Sequence, residues 1–277
     1  YLEWALNKVS NHQHQQLVYD SHTHLNDDAF YDDVPAFINR AAHYGVTEMN
    51  IIGSNQLLNT RALKLGHQYD NLHPIIGWHP EDIANWNSDT KKELRQQLAD
   101  PLVVGIGEIG LDYYNDEQSP HKQQQEIFAE QLEWARELKL PVSIHCRDAL
   151  ADTYEILRNA HVDEFGGVMH SLNGTPEWAE KFMDLGMMIS FSGVVSFKNA
   201  TEVHEAALVV PLEKMMVETD APYLTPLPYR GKQNEPGFTK FTVDAIADLK
   251  QVDAGKVAYK TFTNARRLFL ENEERGL

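Results

Sequence analysis

The chain has 277 residues, of which 42% are apolar and 23% charged, and it can form either one large globular domain or two smaller ones. No stretch approaches the roughly 18 uninterrupted apolar residues of a membrane helix, which excludes a membrane span. The net charge of −17 disfavours a non-catalytic DNA-binding module, because such modules normally present a basic face.

Cysteine content and the N-terminus bear on location and domain organisation. The single cysteine, Cys146, excludes intramolecular disulfides and favours an intracellular, cytoplasmic location. Residues 1–16 are rich in Asn, Gln and His and lack the basic start, apolar core and cleavage site of a secretory signal. We therefore expect an N-terminal extension at 1–16 and one domain at 17–277, with no obligate protein partner evident.

Short apolar runs alternate with amphipathic helical stretches, beginning with a run at Leu17–His24 and a helical pattern at Val34–Tyr44. Seven more runs follow: Val46–Gly53, Leu72–His79, Val103–Gly110, Val142–His145, Gly167–Ser171, Met187–Ser192 and Met215–Asp220. Eight strand and helix units in about 250 residues predict a single-domain α/β fold, the TIM-type (β/α)8 barrel. An open, doubly wound sheet is the structural alternative.

One segment interrupts this alternation. Pro222–Gly237 is rich in proline and glycine and is longer than an ordinary connection between a strand and a helix. Long loops at the mouth of a barrel commonly face the substrate. We therefore expect this loop to border the functional site.

Residues able to bind metals occur at the carboxyl ends of the predicted strands, where TIM barrels carry their active sites. They are His22, His24, Glu108, His145, His170 and Asp220. The first two are two residues apart on one strand and therefore point to the same side. Each residue alone has a structural interpretation, such as a pairing of Glu108 with Arg147. Together they predict a shared metal site, because each would otherwise need a hydrogen-bond partner of its own.

This ligand set indicates the chemistry. Imidazoles and carboxylates without a thiolate suit Mg, Mn, Zn, Fe or Ni and do not distinguish among them. Six ligands suggest two divalent cations, one bound by Asp220 and the first-strand histidines, the other by His145 and His170, with Glu108 bridging. Two such cations lower the pKa of a water and hold the attacking and leaving oxygens of an ester. Glu108 and Asp220 are the predicted catalytic residues, and Asp220 can accept the water's proton as a general base.

Seven segments of the chain resemble the TatD-related family of metal-dependent hydrolases, which are largely deoxyribonucleases. They are Asp20–Leu25, Gly77–Pro80, Gly105–Tyr114, Leu140–Ala149, Ile189–Gly193, Glu218–Leu224 and Arg230–Pro236. The resemblance covers residues 18–270 and implies a TIM barrel with the six metal ligands named above. It also implies a substrate class, DNA phosphodiesters, and we expect an exonuclease that acts from a chain end.

Two departures from the family pattern lie beside the expected substrate channel. His170 is followed by Ser-Leu-Asn-Gly, where members typically have Cys-Phe-Ser-Gly. Pro80 is followed by Glu81 and Asp82, where a further histidine is common. These changes put the substrate preference in doubt more than the metal site.

Two other function classes remain open. One is an amidohydrolase or ester hydrolase that acts on a small molecule or an aminoacyl ester. Many amidohydrolases bridge their metals with a modified lysine on the fourth strand, whereas this strand has Glu108 and no lysine. The other is a non-catalytic barrel, which the complete ligand set disfavours.

Four residues near the expected site are candidates for substrate binding: His79, Arg147, Arg230 and Asn234. The histidine ends the third strand and is expected to contact the scissile phosphate. Arg147 is expected to contact the substrate. Arg230 and Asn234 are expected to bind phosphate, although a solvated loop explains them equally well. Arg147 with Asp148 is also expected to orient His145. Cys146, on a buried strand, is expected to be an inert core residue.

Overall fold

The computed structural model describes residues 16–114 and 120–271. Within them lie eight strands: β1 (Val18–Thr23), β2 (Val46–Ile52), β3 (Leu72–Ile76), β4 (Gly105–Asp112), β5 (Val142–Arg147), β6 (Gly167–Met169), β7 (Met188–Phe191) and β8 (Met215–Val217). The extension predicted at 1–16 lies, apart from Gln16, outside the described residues. None of the described helices is long and apolar enough to cross a membrane.

The strands form one sheet in which each strand pairs in parallel with the next along the chain, from β1 to β8. Backbone hydrogen bonds join the two ends of this sheet. Asp220 donates to the carbonyl oxygen of His22 at 2.8 Å, and His24 donates to that of Ala221 at 2.9 Å. The strands therefore form a nearly closed barrel, which confirms the predicted TIM-type fold over an open sheet.

Nine α-helices in the described residues pack against the barrel and against one another. They are α1 (Val34–His43), α2 (Gln56–Gln68), α3 (Ser88–Gln97), α4 (His121–Leu138), α5 (Leu150–Asn159), α6 (Pro176–Asp184), α7 (Thr201–Val209), α8 (Thr239–Lys250) and α9 (Ala254–Phe269). Local sequence explains several starting points. The side chain of Asn55 accepts from the backbone N–H of Leu58 at 3.1 Å at the start of α2, and Asn87 and Thr90 form a capping box at α3.

The strands are buried along most of their length. Every residue of β1 and of β4 is buried, as expected for a parallel sheet that is covered on both faces. Apolar residues such as Ile106 and Ile109 explain most of this burial. A polar residue in such a strand, such as Glu108, needs other buried groups to compensate its charge.

The observed strands differ from the predicted ones at their carboxyl ends. Strands β3, β6 and β8 end two or three residues earlier than predicted, because the backbone turns out of the sheet. Ser171 and Asp220, which follow β6 and β8, have φ angles of 40° and 56°, in the left-handed region. Strands β4 and β5 extend two residues beyond their predicted ends, to Asp112 and Arg147.

Gly110 in β4 lies where the backbone of β5 leaves no room for a side chain. Its φ is 143°, and a Cβ atom added there would lie 1.9 Å from the carbonyl oxygen of His145. Gly231, in the loop after β8, also has a positive φ, of 90°, but no atom lies within 4 Å of its Cβ position. The two glycines therefore share an unusual backbone conformation and differ in crowding.

We expect Gly110→Ala to lower the free energy of unfolding by about 3 kcal/mol or more, because overlap with β5 adds to backbone strain. The control, Gly231→Ala, is expected to lose about 1 kcal/mol from backbone strain alone. Denaturant unfolding of both variants measures the difference. Equal losses would contradict the close approach of β4 to β5.

Candidate metal centre

Strand β1 brings two imidazoles to the mouth of the barrel. His22 Nδ1 lies 3.3 Å from Ser143 Oγ, and His24 Nδ1 lies 3.0 Å from the carbonyl oxygen of Ile52. Because a carbonyl only accepts, neutral His24 carries its proton on Nδ1 and a lone pair on Nε2. The Nε2 atom of His22 is buried and has no hydrogen-bond partner among the described residues.

The carboxylate of Glu108, on β4, lies at the centre of the site and is 5% exposed. Its Oε2 atom is 3.4 Å from His22 Nε2 and 3.6 Å from His24 Nε2. Its Oε1 atom faces three other ring nitrogens: His145 Nδ1 at 2.9 Å, His170 Nε2 at 3.0 Å and His79 Nε2 at 3.4 Å. One carboxylate therefore faces five imidazoles, and its two oxygens divide them between two sides.

Asp220 lies on the Oε2 side. Its Oδ1 atom is 3.6 Å from His22 Nε2 and 3.3 Å from His24 Nε2. We call these three residues the first ligand group, and we call His145 and His170, on the Oε1 side, the second ligand group. The structure thus brings all six predicted ligands together around Glu108.

The donor set fits divalent cations. Three clusters have ligand atoms within 4.8 Å of one another: His22, His24 and Asp220; His22, Glu108 and His170; and His79, Glu108 and His145. Ring nitrogens and carboxylate oxygens are ligands that Mn, Zn, Fe and Ni accept. The buried Nε2 atom of His22 also supports a metal site, because a buried polar atom without a hydrogen-bond partner is unfavourable unless it binds a ligand.

The pKa shifts indicate that positive charge beside Glu108 offsets its burial. Burial by itself raises the pKa of Glu108, but positive charge on the surrounding histidines outweighs it and holds that pKa well below its usual range. Burial by itself lowers the pKa of His145, yet hydrogen bonds with Asp112 and Glu108 raise it to about 9. Protonated histidines thus supply the positive charge that a bound divalent cation would otherwise supply.

Two buried carboxylates that were not assigned from the sequence contact the second ligand group. Asp112 Oδ2 lies 2.8 Å from His145 Nε2, and Glu218 Oε1 lies 2.8 Å from His170 Nδ1. Their exposed fractions are 2% and 0%. Strand alternation was the available signal, since Asp112 comes four residues after Glu108 on one strand.

The contact with Asp112 corrects one prediction. Arg147 and Asp148 do not orient His145, because Asp112 already occupies the ring nitrogen that points away from Glu108. The guanidinium of Arg147 instead lies over the ring of Tyr114, 3.7 Å from its centroid, and lines the mouth.

Cys146 also differs from its prediction. It is half-buried and lines the mouth rather than packing in the core. Burial raises the pKa of its thiol to about 11, so the thiol stays protonated at neutral pH. The prediction that Cys146 is inert agrees with this pKa.

His79 differs from the other histidines in its proton position. The backbone N–H of Glu81 donates to its Nδ1 atom at 3.1 Å. Because Nδ1 accepts, the proton of the neutral ring is on Nε2, the nitrogen that faces Glu108. A protonated nitrogen donates a hydrogen bond and does not bind a metal. This tautomer separates His79 from the six predicted ligands.

The long loop predicted at Pro222–Gly237 is confirmed, since it has no helix or strand before a short 3-10 turn that begins at Pro236. Asn234 in this loop is fully buried. Its amide donates to the carbonyl oxygens of Thr219 at 2.9 Å and Tyr223 at 2.6 Å. The predicted phosphate contact of Asn234 is contradicted, because both of its donors hold the loop against the end of β8.

Arg230 lies in the same loop and is exposed. Its guanidinium lies over the ring of Phe197, 4.1 Å from the centroid. The residues that line the mouth do not include Arg230. Its role in phosphate binding stays a prediction.

The mouth opens into a cavity of about 600 Å³, in which Arg147 is the only Arg or Lys among the described lining residues. A smaller cavity of about 210 Å³ adjoins it and is lined by the carboxylates Asp27, Glu81 and Asp82. No Lys or Arg of the described part of the chain lines the smaller cavity. Both cavities reach Glu108 and are lined by carboxylates, and they differ in that only the larger one also has a basic side chain, Arg147.

Known proteins resemble this chain over most of its length. The profile of a family described as "TatD related DNase" matches residues 19–270. YabD of Bacillus subtilis (strain 168), described as an uncharacterized metal-dependent hydrolase, is 38% identical over 256 residues, or 92% of this chain and all of YabD. The 3'-5' ssDNA/RNA exonuclease TatD of Erwinia tasmaniensis is 34% identical over 258 residues, or 91% of this chain and 99% of that protein. The crystal structure of YJJV, a TatD homolog from Escherichia coli k12, has a TM-score of 0.88 at 28% identity and covers 92% of this chain and 98% of its own.

Two substitutions test the arrangement around Glu108. We expect Glu108→Gln to weaken the binding of both cations by about 100-fold or more, because its charge faces both ligand groups. Asp220→Asn is expected to weaken only the cation of the first ligand group. Metal content after dialysis, measured by mass spectrometry, distinguishes the two results. Wild-type metal content in Glu108→Gln would contradict the central place of this carboxylate.

Proposed function

This chain belongs to the TatD-related family of metal-dependent hydrolases, and we propose that it is a deoxyribonuclease that removes nucleotides from the end of a DNA strand. The observation that carries the proposal is the carboxylate of Glu108, which faces five imidazoles at 2.9–3.6 Å. Two ligand groups around one shared carboxylate suit two cations that act together on a phosphodiester. The name of the Erwinia tasmaniensis relative supports nucleic acid as the substrate.

We assign one cation to the first ligand group and the other to the second ligand group, with Glu108 between them. Bound there, the cations would stabilise charge on phosphoryl oxygens and lower the pKa of a water. Hydrogen bonds within the protein orient the imidazole rings for metal binding. On His24, His145 and His170, the ring nitrogen that points away from Glu108 lies 2.8–3.0 Å from an acceptor oxygen, so the nitrogen that faces Glu108 would present its lone pair to a bound cation.

Asp220 is the proposed general base. Its side chain is 15% exposed and lines the mouth, whereas the side chain of Glu108 is 6% exposed and surrounded by histidines. A water that attacks phosphorus from the mouth therefore reaches Asp220 first. Asp220 accepts the water's proton while the new oxygen–phosphorus bond forms and the bond to the leaving sugar oxygen breaks.

His79 and Arg147 are the proposed phosphate-binding residues. The proton on His79 Nε2 points into the mouth, where it donates to an oxygen of the scissile phosphate. The guanidinium of Arg147 lines the larger cavity and provides a two-pronged donor for a neighbouring phosphate. These two donors supply the local attraction that the net charge of −17 requires for a polyanionic substrate.

The charge distribution of the mouth supports attack at a chain end. A strand cleaved internally would place phosphates in both cavities, and the smaller one presents three carboxylates without the arginine that accompanies those of the larger one. A terminal nucleoside that ends in a hydroxyl brings no phosphate into that cavity. We therefore place the terminal nucleoside in the smaller cavity and the rest of the strand along the side that holds Arg147.

Hydrolysis of labelled single-stranded and duplex DNA by metal-stripped protein, with Mg, Mn or Zn added back, tests the activity. We expect metal-dependent cleavage that falls by about 1000-fold or more in Asp220→Asn, because that residue is both ligand and base. The control is Glu177→Gln, a surface carboxylate outside the residues that line the mouth. Without DNA cleavage in any metal, small esters, cyclic amides and aminoacyl esters become the substrates to assay.

Substrates with a phosphate or a hydroxyl at the 3' end test whether the terminal nucleoside binds in the smaller cavity. We expect a 3'-phosphate to slow release of the last nucleotide by roughly tenfold relative to a 3'-hydroxyl, because it would lie near three carboxylates. Glu81→Gln should reduce this ratio, while the rate on 3'-hydroxyl strands changes little. Equal rates on both strands in the wild-type protein would exclude the placement of the terminal nucleoside in the smaller cavity.

A further inference from the structure

The second ligand group has a feature that the first lacks. The ring nitrogens of His145 and His170 that point away from Glu108 are each bonded at 2.8 Å to a buried carboxylate, Asp112 and Glu218 respectively. In the first ligand group the corresponding partners are neutral: the hydroxyl of Ser143 for His22 and a backbone carbonyl for His24. Only one side of Glu108 is therefore supported by charged partners.

Burial of these two carboxylates requires an explanation. Their described ion pairs are with the two histidines and include no Lys or Arg. Glu218 is 0% exposed, and its Oε2 atom has no hydrogen-bond partner among the described residues. Carboxylates are rarely buried unless their charge is compensated, which here takes either a protonated ring or, when the ring is neutral, a cation beyond it. A cation bound on the far side of each ring would compensate that charge through the ring.

We propose that Asp112 and Glu218 are positioning residues for the cation of the second ligand group, a proposal that rests on the metal assignment made above. A carboxylate only accepts hydrogen bonds, so with a cation bound on the Glu108 side each would hold the one remaining ring proton on the nitrogen that points away from Glu108. This leaves the lone pair of His145 on Nδ1 and that of His170 on Nε2, the two nitrogens that face Glu108 Oε1. The negative charge behind each ring also makes the imidazole a stronger ligand.

The proposal predicts a selective effect on metal binding. Glu218→Gln and Asp112→Asn keep the volume of the side chain and remove its charge. Each should weaken one of two cation-binding events by roughly 10–100-fold, which is the usual effect of losing the hydrogen-bond partner of a ligand. The cation of the first ligand group should keep its affinity within about twofold, because neutral groups orient its rings.

Calorimetric titration of the metal-stripped full chain with Mn2+ measures both events. The matched control is Glu48→Gln, which removes a carboxylate bonded to His73 at 2.6 Å, a pair outside the mouth. It should leave both affinities unchanged. Thermal unfolding of each metal-free variant shows whether it is folded, and Asp112→Asn decides the outcome if Glu218→Gln does not fold.

A spectroscopic readout separates positioning from general stability. With Co2+ as the probe, the visible bands of one of two sites should shift or weaken in Asp112→Asn and in Glu218→Gln, and remain unchanged in Glu48→Gln. Folded variants that bind two equivalents of Mn2+ with wild-type affinities and show the wild-type Co2+ spectrum would overturn the proposal. These titrations contain no nucleic acid, so the expected shifts in a protein that cleaves no DNA would support the positioning role and refute only the nuclease.

Discussion

A buried carboxylate that faces five imidazoles is the constraint on which the rest of this structure depends. An ionised carboxylate as enclosed as Glu108 is unfavourable by several kcal/mol unless positive charge lies beside it. The barrel provides the partners by placing histidines at or just after the carboxyl ends of four strands, β1, β3, β5 and β6. Protonated rings or divalent cations then balance the charge of Glu108. Bound cations would also provide the chemistry of the site, because they lower the pKa of a bound water.

Closure of the barrel and assembly of the site use the same residues. Asp220 donates its backbone N–H to His22, so the bond that joins β1 to the end of β8 also places two ligands side by side. Asp20 lies two residues before His22 on β1. Its carboxylate accepts hydrogen bonds from the backbone N–H of Thr219 at 2.9 Å and from its hydroxyl at 2.5 Å. Burial raises the pKa of Asp20 to about 8, although these hydrogen bonds lower it. The hydrogen bonds that join β1 to the end of β8 therefore also hold the first ligand group in place.

Strand alternation made the barrel and the six ligands predictable from the sequence, because residues at the ends of parallel strands must meet at one mouth. The partners of those ligands were not predictable. Asp112 and not Arg147 reaches His145, because β4 continues two residues past its predicted end and brings the carboxylate to the ring. The burial of Asn234 likewise depends on how a long loop folds back onto Thr219, which no local pattern specifies.

Anomalous diffraction from crystals grown with Zn2+ shows whether two cations bind around Glu108, because it locates cations without reference to any substrate. Two peaks are expected, on opposite sides of Glu108. One should lie about 2.0–2.1 Å from the Nε2 atoms of His22 and His24, and the other at the same distance from His145 Nδ1 and His170 Nε2. Well-ordered crystals without an anomalous peak in the mouth, and with Glu108 still bonded directly to ring nitrogens, would contradict this expectation.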